Sequence, residues 1–199
     1  MNTLKNTALV LIGYQNDYFS PQGVLHKVIE ESSRATGVLE NTISLLREQG
    51  KDFGVVVNTP IHFTENYQEL NEPIGILQVI KEQGAFKEGT FGAQIIPQLN
   101  EFNDFVQVVP GKRGLNAFSN TKLEKILRDK GITNIVFAGT VTSICIDSTA
   151  RSAIDMGFKV TILDDCTSSR TSFEQHFYCN DVFPLYAQVC HSSTLQAAS

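Results

Sequence analysis

NIVFAGTVTSICIDSTARSAIDMGFKV, residues 134–160, holds the pattern that decides the fold. Residues 134–138 are β-branched and apolar on both alternating faces, as in a buried strand, and Gly139 closes the run. A turn rich in Thr and Ser follows. A helical spacing then puts Ala150, Ala153 and Ile154 on one face until Gly157 stops it, and residues 159–163 start another apolar run. The same alternation extends outward. Short apolar runs at residues 8–12, 53–58, 105–109 and 187–190 read as further strands. Between them, Val38, Ile43, Leu45 and Leu46 lead to Gly50, and Ile74, Leu77 and Ile80 lead to Gly84. Leu123, Ile126 and Leu127 oppose Lys122, Glu124 and Lys125 before Gly131. Buried strands each followed by a helix predict a parallel sheet covered on both sides, a three-layer α/β sandwich. Ligands of such sheets gather at the carboxyl ends of the strands.

Length and composition agree with this reading. The chain has 199 residues, 42% of them apolar, 19% charged, and a net charge of −5. Residues 1–199 read as one domain with a full core, without repeats, linkers or low-complexity stretches. An acidic chain offers no footprint for nucleic acid. No apolar run approaches the roughly 18–20 residues of a membrane span, and MNTLKNT passes into an apolar stretch without a small-residue cleavage site, so a cytoplasmic location is expected. The four cysteines, Cys145, Cys166, Cys179 and Cys190, form no C-x-x-C pair and read as thiols.

Three segments at predicted strand ends carry possible chemistry. Cys145 falls in the first turn of the predicted helix, where free amides and the positive end of the helix dipole favour a thiolate and offer donors to an oxyanion. A small residue chosen for tight strand-to-helix packing would occupy the same place. Lys112, ahead of the helix from residue 121, could hold a thiolate or an anionic substrate, or be a solvated loop residue. Asp17, after the first strand, reads as a turn residue or as a base.

In this order the three segments resemble the isochorismatase-like cysteine hydrolases, which include nicotinamidases and N-carbamoylsarcosine amidases. Gln15 and Asp17 followed by Tyr18 and Phe19 are similar to the family's first motif. Lys112 stands six residues before Phe118, and Gly139, Thr142, Cys145, Ile146, Thr149, Ala150 and Ala153 match the cysteine segment. The resemblance implies a Rossmann-like αβα sandwich with a six-stranded, mainly parallel sheet, in a homodimer or higher homo-oligomer. It also implies Cys145 as nucleophile, Lys112 as its partner, and the Val141 and Cys145 amides as the oxyanion hole, with a cis peptide between Thr140 and Val141. A small amide, ureido or related carbonyl compound is the implied substrate, with no cofactor.

The likeness breaks at one position. The family's aspartate falls on Gly13, which can neither take the thiol proton nor return it to a leaving amine. His62, Asp17 and Asp165 are the candidate substitutes. The metal-dependent nicotinamidases carry an Asp and two or three His after the second strand, whereas this chain has His62 alone, so no metal is expected. Tyr14, Phe19 and Phe118 are candidates to line an apolar substrate pocket, alongside the reading of phenylalanine as core filler. Residues 88–99, with Gly89 and Gly92, read as a flexible cover or a subunit contact. The expectation is a hydrolase acting through Cys145. The alternative is a catalytically impaired relative serving as a small-molecule binding module or oligomer scaffold.

Overall fold

The computed structural model describes residues 4–195; residues 1–3, the start of the segment read for a leader, lie outside that range. One six-stranded sheet has the order β3-β2-β1-β4-β5-β6, and every neighbouring pair is parallel. The strands are β1 (Thr7–Ile12), β2 (Val55–Thr59), β3 (Val106–Val108), β4 (Asn134–Thr140), β5 (Lys159–Ser168) and β6 (Gln188–Cys190). The helices are α1 (Asn16–Phe19), α2 (His26–Thr36), α3 (Val38–Gln49), α4 (Gly75–Gln83), α5 (Leu123–Asp129), α6 (Asp147–Asp155) and α7 (Ser172–Phe177). None of the helices among the described residues is long and apolar enough to cross a membrane.

β1 shows why the sheet is covered twice. Ala8, Val10 and Ile12 pack with Leu123 and Leu127 of α5 and Ala150 and Ala153 of α6, whereas Leu9 and Leu11 pack with Ile43, Leu45 and Leu46 of α3. Alternate side chains of one strand thus enter two cores, which requires an apolar residue at every position.

α2 has no counterpart in the sequence reading. Its segment HKVIEESSRAT buries only Ile29 and Ser32, so it carries too few apolar residues to show a helical period. β5 also runs longer than residues 159–163 suggest. Phe137 of β4 pairs with Ile162, but Gly139 pairs with Thr167, so the intervening residues of β5 bulge out before pairing resumes at its carboxyl end.

The chain proceeds from β1 outward to β2 and β3, then returns to β4 on the other side of β1 and proceeds outward again. The carboxyl ends of β1 and β4 therefore flank the point where the winding reverses, the usual ligand crevice of such sheets.

Candidate active site

Gly13 follows β1 and residues 141–145 follow β4, so both face that crevice. Strands β1 and β4 pair Ile12 with Gly139. The Thr140–Val141 peptide is cis. Cys145 lies one turn earlier than α6, in a widened turn, Thr142–Ile146, with bonds from residue i to i−5. The Val141 carbonyl accepts from the amides of Ile144 (3.0 Å) and Ile146 (3.2 Å) and passes over that of Cys145 between them.

Lys112 arrives from the other side. Its backbone pairs with Ile61 beyond β2, and its carbonyl accepts from the His62 amide at 3.1 Å. Thr149 ties the two segments together: its hydroxyl donates to the Cys145 carbonyl (2.7 Å) and accepts from the Ala117 amide (3.0 Å). Lys112 Nζ donates to the Gly114 carbonyl at 2.5 Å and to Cys145 Sγ at 3.6 Å. Lys112 is 1% exposed and Cys145 7%. Among the described residues no carboxylate forms an ion pair with Lys112. Apart from the Gly114 carbonyl, the sulfur is the hydrogen-bond partner that Lys112 Nζ reaches.

The other candidate bases are brought elsewhere. Asp17 is buried, but its Oδ2 accepts from the Phe86 amide (2.6 Å) and its Oδ1 from the Val24 amide (3.3 Å), which is the turn role. His62 Nε2–H donates to the Ala93 carbonyl at 2.9 Å. Asp165 lies in the β5 bulge and accepts from the amide and hydroxyl of Ser192 (2.8 and 2.5 Å). None of the three hydrogen-bonds to Cys145 Sγ among the described residues, and each holds a backbone group in place.

Of the aromatic candidates, Tyr14 and Phe118 lie elsewhere, whereas Phe19 packs against both the α3-side core and the cluster that holds Tyr18 and Val141. Tyr14 points to the α3 side, shares a 2.6 Å hydrogen bond with Thr42 and stacks on Phe19. Burial raises its phenol well above the ordinary range, and the neighbouring Cys166 adds to this. Phe118 stacks on Phe158, just before the amino end of β5 and so at the far edge of the sheet from the crevice. The aromatic beside the thiol is instead Tyr18, packed on Phe86 within the cluster that contains Val141 and Ile144. Burial pushes its phenol well up, with Cys145 the next contribution. Its place four residues after Tyr14, on the single turn α1, carries no sequence signal that separates it from ordinary core.

Residues 88–99 are pinned rather than loose. Ile95 bridges to Gln15, the Asn16 and Asp17 amides donate to Gln94 and Gly92, and the Ile96 amide donates to Tyr14. Gln15, fully buried, locks this segment to β2's end: its Nε2 donates to Ala93 (2.7 Å) and Ile61 (2.9 Å), and its Oε1 accepts from Ile61 (2.8 Å).

Helix α7 braces the cysteine turn. Thr142 Oγ1 donates to Gln175 Oε1 at 2.6 Å, and the Ser169 hydroxyl donates to Glu174 at 2.6 Å while accepting from that of Ser143 at 3.1 Å. Burial alone would raise the Glu174 carboxyl. Bonds from the Arg170 guanidinium, Ser169 and the Arg170 amide outweigh it and take the group down to about 2. A depressed carboxylate stabilises the fold above its unfolded value near ~4.3, and that contribution is lost as pH falls through about 2. Glu174→Gln is therefore expected to lower the melting temperature at pH 7, and the gap from the parent protein should close between pH ~4.5 and 2. A gap independent of pH in thermal melts would refute that assignment.

The remaining thiols are held as thiols. Burial pushes Cys166 and Cys179 up to about 12 and raises Cys190 as well. All four cysteines are free. Among the described residues no three His, Cys, Asp or Glu side chains gather to hold a metal ion. A depression of about 470 Å3 lined by Glu69, Arg113, Gly114, Asn116 and Ser148 lies against the Lys112 loop. A second concavity, about 870 Å3, lies near Lys159, Leu185 and Cys190 and includes neither Lys112 nor Cys145.

The isochorismatase domain model matches residues 7–194. The chain belongs to the isochorismatase family. A probable inactive nicotinamidase of Arabidopsis thaliana is 30% identical over 185 residues, covering 84% of this chain and 83% of its own length. The ureidoacrylate amidohydrolase RutB of Caulobacter segnis is 26% identical over 176 residues, covering 82% and 72%. Among solved structures, a cysteine hydrolase from Pseudomonas syringae superposes with a TM-score of 0.79 at 18% identity, covering 97% of this chain and 91% of that one. That neighbour shares the α/β fold of this chain.

Proposed function

We propose that this isochorismatase-family hydrolase cleaves a small amide, ureido or related carbonyl compound, with Cys145 as nucleophile and Lys112 as its electrostatic partner. The observation that carries the reading is the 3.6 Å contact between Lys112 Nζ and Cys145 Sγ, made by a lysine that is 1% exposed. Burying an ammonium without a carboxylate is costly, so the pairing is explained if the sulfur is ionised. The Cys145 amide, left out of the bonds to the Val141 carbonyl, and the Val141 amide beside it supply donors to the oxyanion that forms on attack. The relation to ureidoacrylate amidohydrolase RutB supports an amide-type substrate.

A second reading has its own support. Gly13 leaves the crevice without a carboxylate at the end of β1, and the Arabidopsis relative is described as probably inactive. On that reading the pocket binds small carbonyl compounds, or the chain is an oligomer scaffold, without turnover.

Ammonia release from ureidoacrylate, nicotinamide and a panel of short primary amides separates the two. The hydrolase reading expects at least one amide to turn over and Cys145→Ala to fall to the uncatalysed background. An unchanged rate in Cys145→Ala removes Cys145 as nucleophile. No release from any member of the panel favours the binding reading.

A further inference from the structure

We infer that Lys112 is the proton carrier of the reaction, in addition to being the thiolate's counter-ion. This rests on the reading of Cys145 as nucleophile. Hydrolysis of an amide needs one group to give a proton to the leaving nitrogen and then to take one from water. None of the carboxylates and imidazoles considered for that task hydrogen-bonds to Sγ: Asp17 is held by the Phe86 and Val24 amides, the Nε2–H of His62 by Ala93, Asp165 by Ser192, and Glu174 by Ser169 and Arg170. Tyr18 lies near the thiol, but burial holds its proton, so it can donate a hydrogen bond without accepting a proton. Lys112 is the titratable group in contact with Sγ. Its other hydrogen bond goes to a main-chain carbonyl, which fixes its position without fixing its charge.

The proton balance closes with these groups and water. The Cys145 thiolate attacks the carbonyl carbon, a C–S bond forms, and the oxyanion is held by main-chain amides. As the C–N bond breaks, the Lys112 ammonium gives a proton to the departing nitrogen. The thiolate is now consumed in a thioester. With the thiolate consumed, the one side-chain partner of Nζ no longer carries a charge, and the Gly114 carbonyl holds the amine in place. That amine takes a proton from water as the water oxygen attacks the thioester. The C–S bond breaks, the carboxylic acid leaves, and the thiolate–ammonium pair is restored.

A leaving group that needs no proton separates Lys112's charge from its proton transfer. With p-nitrophenyl acetate, nitrophenolate departs unaided, so acylation needs only the thiolate, whereas deacylation still needs the amine. The intact protein is expected to release a burst of about one nitrophenolate per chain and then continue. Lys112→Arg keeps the cation but cannot surrender its proton. It should retain the burst, accumulate acetylated Cys145 by intact mass, and lose continued release by at least ~10². Since arginine is bulkier in so buried a place, Lys112→Met is the second variant, expected to acylate more slowly and likewise to stop after one equivalent.

Continued release at the wild-type rate in either variant would overturn the inference. So would a wild-type protein that acylates once and stops, or one whose Cys145 is labelled by iodoacetamide yet releases no nitrophenolate above Cys145→Ala. Failure of iodoacetamide to label Cys145 in the wild type instead removes the underlying reading of Cys145 as nucleophile.

Discussion

Gly13→Asp is expected to destabilise the protein and not to supply a base. Position 13 has φ +79°, and a Cβ built there would stand 2.5 Å from the Thr140 carbonyl oxygen and 3.0 Å from Thr140 Cγ2. The first feature costs an L-residue roughly 1–2 kcal/mol, and relieving the second requires backbone movement of the kind that costs about 1–3 kcal/mol. Their sum, ~2–5 kcal/mol, corresponds to a melting temperature lower by roughly 5–15 °C for a chain of this size. Gly13→Ala should lose nearly as much, because the clash belongs to the Cβ. The reason lies in the neighbouring strand. Gly139 lies as close to β1, with its would-be Cβ 1.9 Å from the Ile12 carbonyl oxygen, so the carboxyl ends of β1 and β4 meet backbone to backbone. Thermal melts of the two variants, with the amide panel run on Gly13→Asp, decide the matter. A Gly13→Asp protein that melts with the parent and gains hydrolysis would show that the backbone at position 13 accommodates the aspartate.

The centre of the sheet was legible because β1, β2 and β4 are buried on both faces and are built mainly of apolar residues, as in the run TALVLI of β1, whereas the edge strands β3 and β6 are partly exposed. The polar helix α2 was not, since Ile29 and Ser32 alone are fully buried, Val28 adds one partly buried apolar contact, and Ser32 Oγ accepts from the Ser169 amide at 2.9 Å. At the site, the pairing of Lys112 with Cys145 was legible only through resemblance to a family, because 33 residues separate them and no local rule links the two loops. The roles offered to His62, Asp17 and Asp165 failed for one shared reason. A side chain's availability depends on whether nearby amides and carbonyls have other partners, and sequence spacing carries no record of that. Tyr14 illustrates the same limit on the apolar side: an aromatic after a strand can enter either core, and here its hydroxyl finds Thr42 on the side away from the thiol.

Lys112→Met should leave the fold intact and quench the thiol. Methionine has a similar length and no charge; removing one member of a buried ion pair is destabilising when the other stays charged, but here the sulfur can take up a proton, so no unpaired charge is left buried. The melting temperature is therefore expected to stay level or rise. The 2.5 Å bond to the Gly114 carbonyl and the 3.6 Å contact with Cys145 Sγ are the contacts given up. Reactivity should move the other way. Two opposite charges 4 Å apart attract by about 4 kcal/mol at an effective dielectric constant of 20, and even a third of that favours the thiolate by roughly tenfold. Iodoacetamide labelling of Cys145 at neutral pH is accordingly expected to slow by at least ~10-fold in Lys112→Met. Cys166 and Cys179, held as thiols by burial, should stay unlabelled in both proteins and serve as internal references. A variant that is stable but labels as fast as the parent would mean that the lysine is packing alone. A variant that unfolds would mean that its bond to Gly114 holds the 112–118 loop. Only the combination of retained stability and lost reactivity assigns the cation to the sulfur.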